Sequence, residues 1–313
     1  MHIFRHAREV HRPMELWRRA ANAHDAFDLL LALAQLECAV SDHNGDGCAA
    51  GQPGLLDLTR RAAAAFLGVG RRPHGEEIGA ARRWLPPEEA ELYLGAWEGL
   101  RYYALWPGAY AESARAWLAA SGGQQVVWIL GLRSMGSILA PAAAAALEAV
   151  GCEVRCTTLR PVGPAFERRL EPGERLRAAW RGFPGAFLIV DEGPGLSGSS
   201  FAGAVAALEA CGIEESRMAL LPGWSPDSEE ARRLKNPEAA RRWTGWRKFP
   251  APALAAPEGA LIGAGPRAVR ELSGGLWRGV LREMDAPAWP EHERRKFLLD
   301  RPGRGRAIAK FAG

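Results

Sequence analysis

Two adjacent carboxylates, Asp191 and Glu192, follow the apolar run Phe187-Leu-Ile-Val190 and precede a Gly- and Ser-rich stretch: Gly193, Pro194, Gly195, Leu196, Ser197, Gly198, Ser199 and Ser200. A carboxylate pair suits sugar hydroxyls, from which it accepts hydrogen bonds, or a hydrated Mg²⁺. A Gly/Ser loop that feeds a helix presents free backbone N–H groups and the positive end of the helix dipole, and both favour a phosphate. These residue types, in this order, combine a hydroxyl clamp and a phosphate cradle within fourteen positions, 187–200.

Such a site needs a strand before it and a helix after it. Phe187 to Val190 is apolar throughout and too short for a helix, as expected of a strand buried on both faces. Phe201 to Cys211 predicts a helix, with Gly212 just past its end. In an open parallel sheet, ligands bind at the carboxyl ends of the strands, where the acidic pair falls. A second unit of this kind lies upstream. Val126-Val-Trp-Ile-Leu-Gly131 predicts a strand, Leu132-Arg-Ser-Met-Gly-Ser137 a loop, and Ile138 to Val150 an Ala-rich helix. Arg133 beside free N–H groups is chemically apt for an anion. Glu153 to Leu159 predicts the next strand, and Arg217 to Leu221 the last.

Gly193-Pro-Gly195-Leu-Ser-Gly198 also satisfies G-x-G-x-x-G, the dinucleotide fingerprint. Two features weigh against that reading. A pyrophosphate would lie beside two carboxylates, and the acid expected about 20 residues on is missing, since the last strand runs into Pro222-Gly-Trp224 with no acid before Asp227.

The 187–200 segment resembles the PRPP-binding motif of type I phosphoribosyltransferases: an apolar strand, two acids, a short loop, then Thr-Gly-x-Thr. Asp191 and Glu192 match the acids, and Ser197, Gly198, Ser199 and Ser200 match the 5′-phosphate loop. The loop is one residue longer than the commonest form, and Gly195 or Leu196 stands where many members carry a further Asp. The resemblance covers about a third of the chain and implies a Rossmann-like parallel sheet of the phosphoribosyltransferase kind. It further implies Mg²⁺, with Asp191 and Glu192 as candidate ligands, and a catalytic set of Asp191, Glu192 and Arg133. By the same likeness Ser134 and Gly136 belong to a pyrophosphate loop, Gly195 to Ser200 grip the phosphate, and Arg160 and Arg168 reach the substrate from a mobile lid. PRPP or a nucleoside monophosphate is then the substrate, and a nitrogenous base the acceptor. A non-catalytic PRPP- or nucleotide-sensing protein of the same fold is the alternative. The oligomeric state stays open, a homodimer included.

Composition bounds the class. The chain has 313 residues, 48% hydrophobic and 24% charged, as in ordinary globular domains. Net charge is +4, and no zinc-finger spacing or basic–aromatic stripe points to nucleic acid. Five cysteines without a C-x-x-C pair fit a reducing cytoplasm better than a disulfide framework. No apolar run reaches the roughly 18 residues of a membrane span.

Three regions are expected: a helical region over 1–120, the α/β core with its cap over 121–250, and an extension over 251–313. In the first, Asp25 to Val40 predicts a buried helix, and Glu88 to Gly99 opens another after Pro86-Pro87. His2, His6 and His11 read as a solvated helix face. Asp42-His-Asn-Gly-Asp-Gly47 reads as a turn, because the closing Glu of a calcium loop would fall on Pro53. Tyr102 to Pro107 reads as aromatic packing. Ser228 to Arg242 predicts one charged helix capped by Ser228, with Trp224, Trp243 and Trp246 candidates to line a pocket above the sugar. Trp277 and Trp289 fall in the extension, and Arg295 to Phe311 predicts a terminal β-hairpin.

Overall fold

A computed structural model describes residues 9–45, 53–95, 97, 99–100, 105–252, 268–272, 296–301 and 305–310. Near the start of the chain, two short strands far apart in sequence pair antiparallel: β1 (Glu9–His11) with β2 (Leu92–Leu94). Between them lie α1 (Pro13–Ala21), α2 (Ala26–Asn44), α3 (Pro53–Phe66) and α4 (Gly75–Ala80). The helix expected from Glu88 is therefore replaced in part by a strand, because Leu92 and Leu94 bury on alternate positions against a partner no local pattern reveals. His11 is likewise on a strand and buried, with Nδ1 at 3.1 Å from Glu15 Oε1, and not on a solvated helix. Asp25 caps α2 by accepting from the Asp28 N–H at 2.8 Å. The helix is apolar nearly all round and accordingly buried, and it continues through Asp42 to Asn44, where Gly45 at φ 73° ends it. The expected turn at Asp42 is thus the helix's last turn. His2, His6, Asp46, Gly47, Tyr102, Tyr103, Trp277 and Trp289 lie outside the described residues.

After α5 (Pro107–Ala120) come four parallel strands: β3 (Val126–Leu132), β4 (Glu153–Leu159), β5 (Ala186–Val190) and β6 (Met218–Leu221). Helices α6 (Gly136–Glu148), α7 (Glu174–Arg181) and α8 (Ser199–Glu209) connect them. The strand order is β4-β3-β5-β6. From β3 the chain crosses outward to β4, then returns to β5 on β3's other side, so the order reverses between β3 and β5. In open parallel sheets such a reversal is the place where ligands bind, at the carboxyl ends of the strands. The architecture is α/β with a four-stranded parallel sheet, compatible with a Rossmann-like fold.

Alternate residues of each strand feed two cores. Val127, Ile129, Leu188, Val190, Ala219 and Leu221 pack under α1, α2, α3, α5 and α6. Trp128, Leu130, Phe187, Ile189, Met218 and Leu220 pack under α7 and α8. The helical sequence before residue 121 thus shares one core with the sheet. Gly131 and Gly136 let β3 and α6 approach closely: a Cβ on Gly131 would stand 2.5 Å from the Gly136 carbonyl oxygen.

The charged segment after β6 forms two short helices, α9 (Ser228–Ala231) and α10 (Pro237–Arg242), instead of one. Asp227, not Ser228, caps the first by accepting from Glu229 and Glu230 N–H, and Asn236 caps the second ahead of Pro237. Trp243 and Trp246 are buried against Phe201 and one another, so they are core residues and not walls of a sugar pocket. Beyond them, β7 (Ala268–Glu271), β8 (Lys296–Arg301) and β9 (Gly305–Lys310) form an antiparallel sheet that contains the expected hairpin. Among the described residues no helix is long and apolar enough to cross a membrane.

Candidate active site

Two loops meet at the reversal point. The first links β3 to α6, its Ser137 and Ile138 N–H groups turning back to the Ser134 and Met135 carbonyls. The second runs from Asp191 to the head of α8. A Cβ on Gly136 would lie 3.2 Å from the Val190 carbonyl oxygen, so Gly136 sits directly against the end of β5. The Arg133–Ser134 and Gly193–Pro194 peptides are both cis. Long-range backbone bonds fix the second loop: Asp191 N–H to Leu221 O at 3.3 Å and Gly223 N–H to Gly193 O at 3.1 Å. Tyr110 of α5 adds a third, its hydroxyl donating to the Asp191 carbonyl at 3.0 Å.

The two acids are not equivalent. Asp191 is half-buried, and burial pushes its carboxyl up to about 7, with the Glu192 and Gly193 backbone N–H groups and the Arg160 charge pulling part-way back. Glu192 turns inward: its Oε2 is buried, and a Cβ on Gly99 would meet that oxygen at 2.7 Å, Met135 Cε at 2.8 Å and Leu105 Cδ1 at 3.0 Å. Mg²⁺ keeps several waters and takes one or two carboxylates plus substrate phosphates. Asp191 fits that demand, and the buried Glu192 oxygen does not. No group of three or more His, Cys, Asp or Glu gathers for a metal among the described residues.

Arg133 also departs from its expected place. It is 4% exposed; its Nε donates to Asp42 Oδ1 at 2.9 Å and its Nη1 to the Thr158 carbonyl at 3.0 Å. The guanidinium is engaged by Asp42 on α2 and by the Thr158 carbonyl, so in this arrangement it serves the fold and does not neutralise a leaving pyrophosphate directly. Arg160 grips the same carboxylate with Nε at 3.0 Å and with Nη2, and donates from Nη1 to the Arg133 carbonyl at 2.8 Å. It is nonetheless partly exposed and close enough to act on Asp191. Beneath them Glu37 is fully buried, accepting from Thr158 Oγ1 at 2.6 Å and Ser41 Oγ at 3.1 Å, and burial raises its carboxyl despite the Arg133 charge. Asp42 and Glu37 were missed because they belong to a helix whose partners are distant in sequence. Cys38, 3.2 Å from Arg160, is held well above neutrality at about 11 by burial.

Gly195 and Leu196 are exposed at the tip of the second loop, with Gly195 at φ 59°. Gly198 takes φ 68° and lies against Ala239 and Leu234, so it could not carry a side chain without moving α10. Ser197 and Ser199 are buried, and both hydroxyls reach the Ala165 carbonyl; Ser200 is half-buried. The two hydroxyls of the Ser197–Ser200 turn are thus engaged by the Ala165 carbonyl of the 160–172 connection. Arg168 donates to the Gly163 carbonyl at 2.7 Å within that connection, next to a surface groove it lines with Arg169 and Arg177 on the outer side of α8. Asn236, which ties the covering segment down, was announced in sequence only by its N-cap position before a proline.

Comparison with protein-family models finds no match, and comparison with curated proteins finds none. Function must be argued from the site. The dinucleotide alternative gains no support from Asp227, whose carboxylate is engaged as the cap of α9.

Proposed function

We propose that this chain is a phosphoribosyltransferase that takes a 5-phosphoribosyl group from PRPP to a nitrogenous acceptor. One observation carries it: a half-buried carboxyl near neutrality, Asp191, sits at the reversal point of the sheet beside a Ser-Gly-Ser-Ser turn that heads α8. In this reaction the acceptor nitrogen bonds to C1 of the ribose, the C1–O bond breaks, and pyrophosphate leaves with the electron pair. Asp191 accepts a ribose hydroxyl and stabilises positive charge growing on the sugar. The turn from Ser197 to Ser200 takes the 5′-phosphate through hydroxyl and backbone donors. Backbone donors of Ser134 to Gly136, at the head of α6, receive the leaving pyrophosphate, and Arg160, a partly exposed guanidinium whose charge reaches Asp191, lends positive charge. Asp191, together with the substrate, would hold Mg²⁺, which would supply further charge neutralisation when bound.

The test is pyrophosphate release from PRPP and Mg²⁺ across candidate bases. Asp191→Asn is expected to lower turnover by about 10²–10³, the usual loss for one electrostatic contact, with an unchanged fold by circular dichroism. Undiminished turnover in the variant rejects the assignment. The inward turn of Glu192 and the absence of an acid at Gly195 or Leu196 favour a second reading, a PRPP or nucleotide sensor without chemistry. Tight PRPP binding with no pyrophosphate release from any base selects that one.

A further inference from the structure

The phosphate turn is closed by a piece of the same chain. Ser199 Oγ donates to the Ala165 carbonyl at 2.8 Å, Ser197 Oγ approaches the same oxygen at 3.3 Å, and the two hydroxyls lie 2.8 Å apart. The covering segment, residues 162–169, is pinned at its base by reciprocal backbone bonds between Val162 and Arg169, at 2.9 and 3.0 Å. Near its tip, Asn236 Nδ2 donates to the Phe166 carbonyl at 2.8 Å. The segment lies hard against α8, since a Cβ on Gly203 would stand 2.4 Å from the Arg168 carbonyl oxygen. Pro164 and Glu167 at its outer edge are exposed.

A carbonyl oxygen that takes two hydroxyl donors occupies the role of a phosphate oxygen. It is the weaker acceptor, because hydrogen bonds to an ionised oxygen are roughly twice as strong as neutral ones. Each of the polar attachments named above contributes only about 0.5–1.5 kcal/mol net. We propose that residues 162–169 form a displaceable plug: the Ala165 carbonyl holds the serine hydroxyls until a phosphate monoester takes them, and Asn236 is the latch. The proposal rests on the phosphate-cradle reading above and adds a competitor for that cradle. A ligand must open the plug before it binds, so apparent affinity falls by the fraction of molecules that are open.

The latch's side-chain bond can be removed while the Asn236 backbone N–H, which donates to the Ser197 carbonyl at 3.2 Å, is kept. Asn236 Oδ1 also caps α10 by accepting from the Ala239 N–H at 2.9 Å, and Ser is an equally good cap that is too short to reach Phe166. Titration of ribose 5-phosphate by calorimetry is expected to show Asn236→Ser binding about three- to tenfold tighter than the wild type, the equivalent of one lost hydrogen bond. Ribose 5-phosphate is also expected to speed tryptic cleavage after Arg168 and Arg169, followed by mass spectrometry, whereas a ligand bound under a closed segment slows it. Equal affinities in both proteins with slowed cleavage overturn the plug and leave the phosphate site standing. Absence of binding by both proteins overturns the phosphate reading and the plug with it.

Discussion

Asp191 illustrates how one residue's surroundings set both stability and chemistry. Its carboxyl is raised from 3.8 to about 7, chiefly by burial, so it ionises in the unfolded chain well before it does so in the folded one. Between those values the unfolded state binds fewer protons than the native state, and stability therefore falls as pH rises. The contribution is intact below about pH 4 and lost once pH passes 7. Asp191→Asn cannot ionise, so it is expected to lose less stability than the wild type between pH 4 and 8, with the two diverging most at the alkaline end. Urea unfolding at a series of pH values measures this. Parallel curves would show that the carboxyl is not held up, and would remove the electrostatic basis of its proposed role. Fully buried Glu37 shifts in the same direction in both proteins, so the difference between the curves isolates Asp191.

At the scale of elements, the legible parts were those whose signal is local. The strand over Glu153 to Leu159 and the helix over Glu174 to Arg181 fall where their apolar pattern and caps place them. The acid pair and the Ser turn fall at a strand tip and a helix head for the same reason. Illegible were features set by distant partners: β2 needs β1, and the Arg133 guanidinium is engaged by Asp42, which lies 91 residues earlier. Asn236-Pro237 was a local signal, a helix start inside a charged run, that net charge patterning concealed. The crossing of β3 and α6 gives a sharp test of the positioning. In Gly131→Ala the new methyl would meet the Gly136 carbonyl at 2.5 Å and Ala140 Cβ at 2.8 Å, and backbone cannot yield as a side-chain tip does. A loss of about 1–3 kcal/mol is expected from overpacking, read as a lower urea midpoint with an unchanged slope. Stability equal to the wild type would mean that the two elements are less tightly joined than described.

For the molecule as a whole, the helical sequence before residue 121 is built into the sheet's architecture and its electrostatics. One hydrophobic cluster runs from Leu16 and Leu33 through Leu139 to Leu188 and Leu221, joining α1, α2 and α6 to the strands. Above it, Asp42 on α2 binds Arg133 after β3 and Arg160 after β4, so one carboxylate ties two strand ends to the helical region. Arg160 then holds the Arg133 carbonyl, and with it the backbone that enters the first loop of the site. Asp42→Ala leaves two guanidiniums facing one another around a void, one of them nearly fully buried. Removing one partner of a buried pair costs about 3–5 kcal/mol, and the partial exposure of Arg160 places the expected loss near the lower bound. Because Asp42 couples to both arginines, Asp42→Ala and Arg160→Ala are expected to be non-additive by about 0.5–3 kcal/mol, measured by a double-mutant cycle in urea. Additive losses would mean that the Asp42–Arg160 contact does not couple the helical region to the strand ends. A coupled pair would instead make α2 a structural determinant of the loop that faces the substrate.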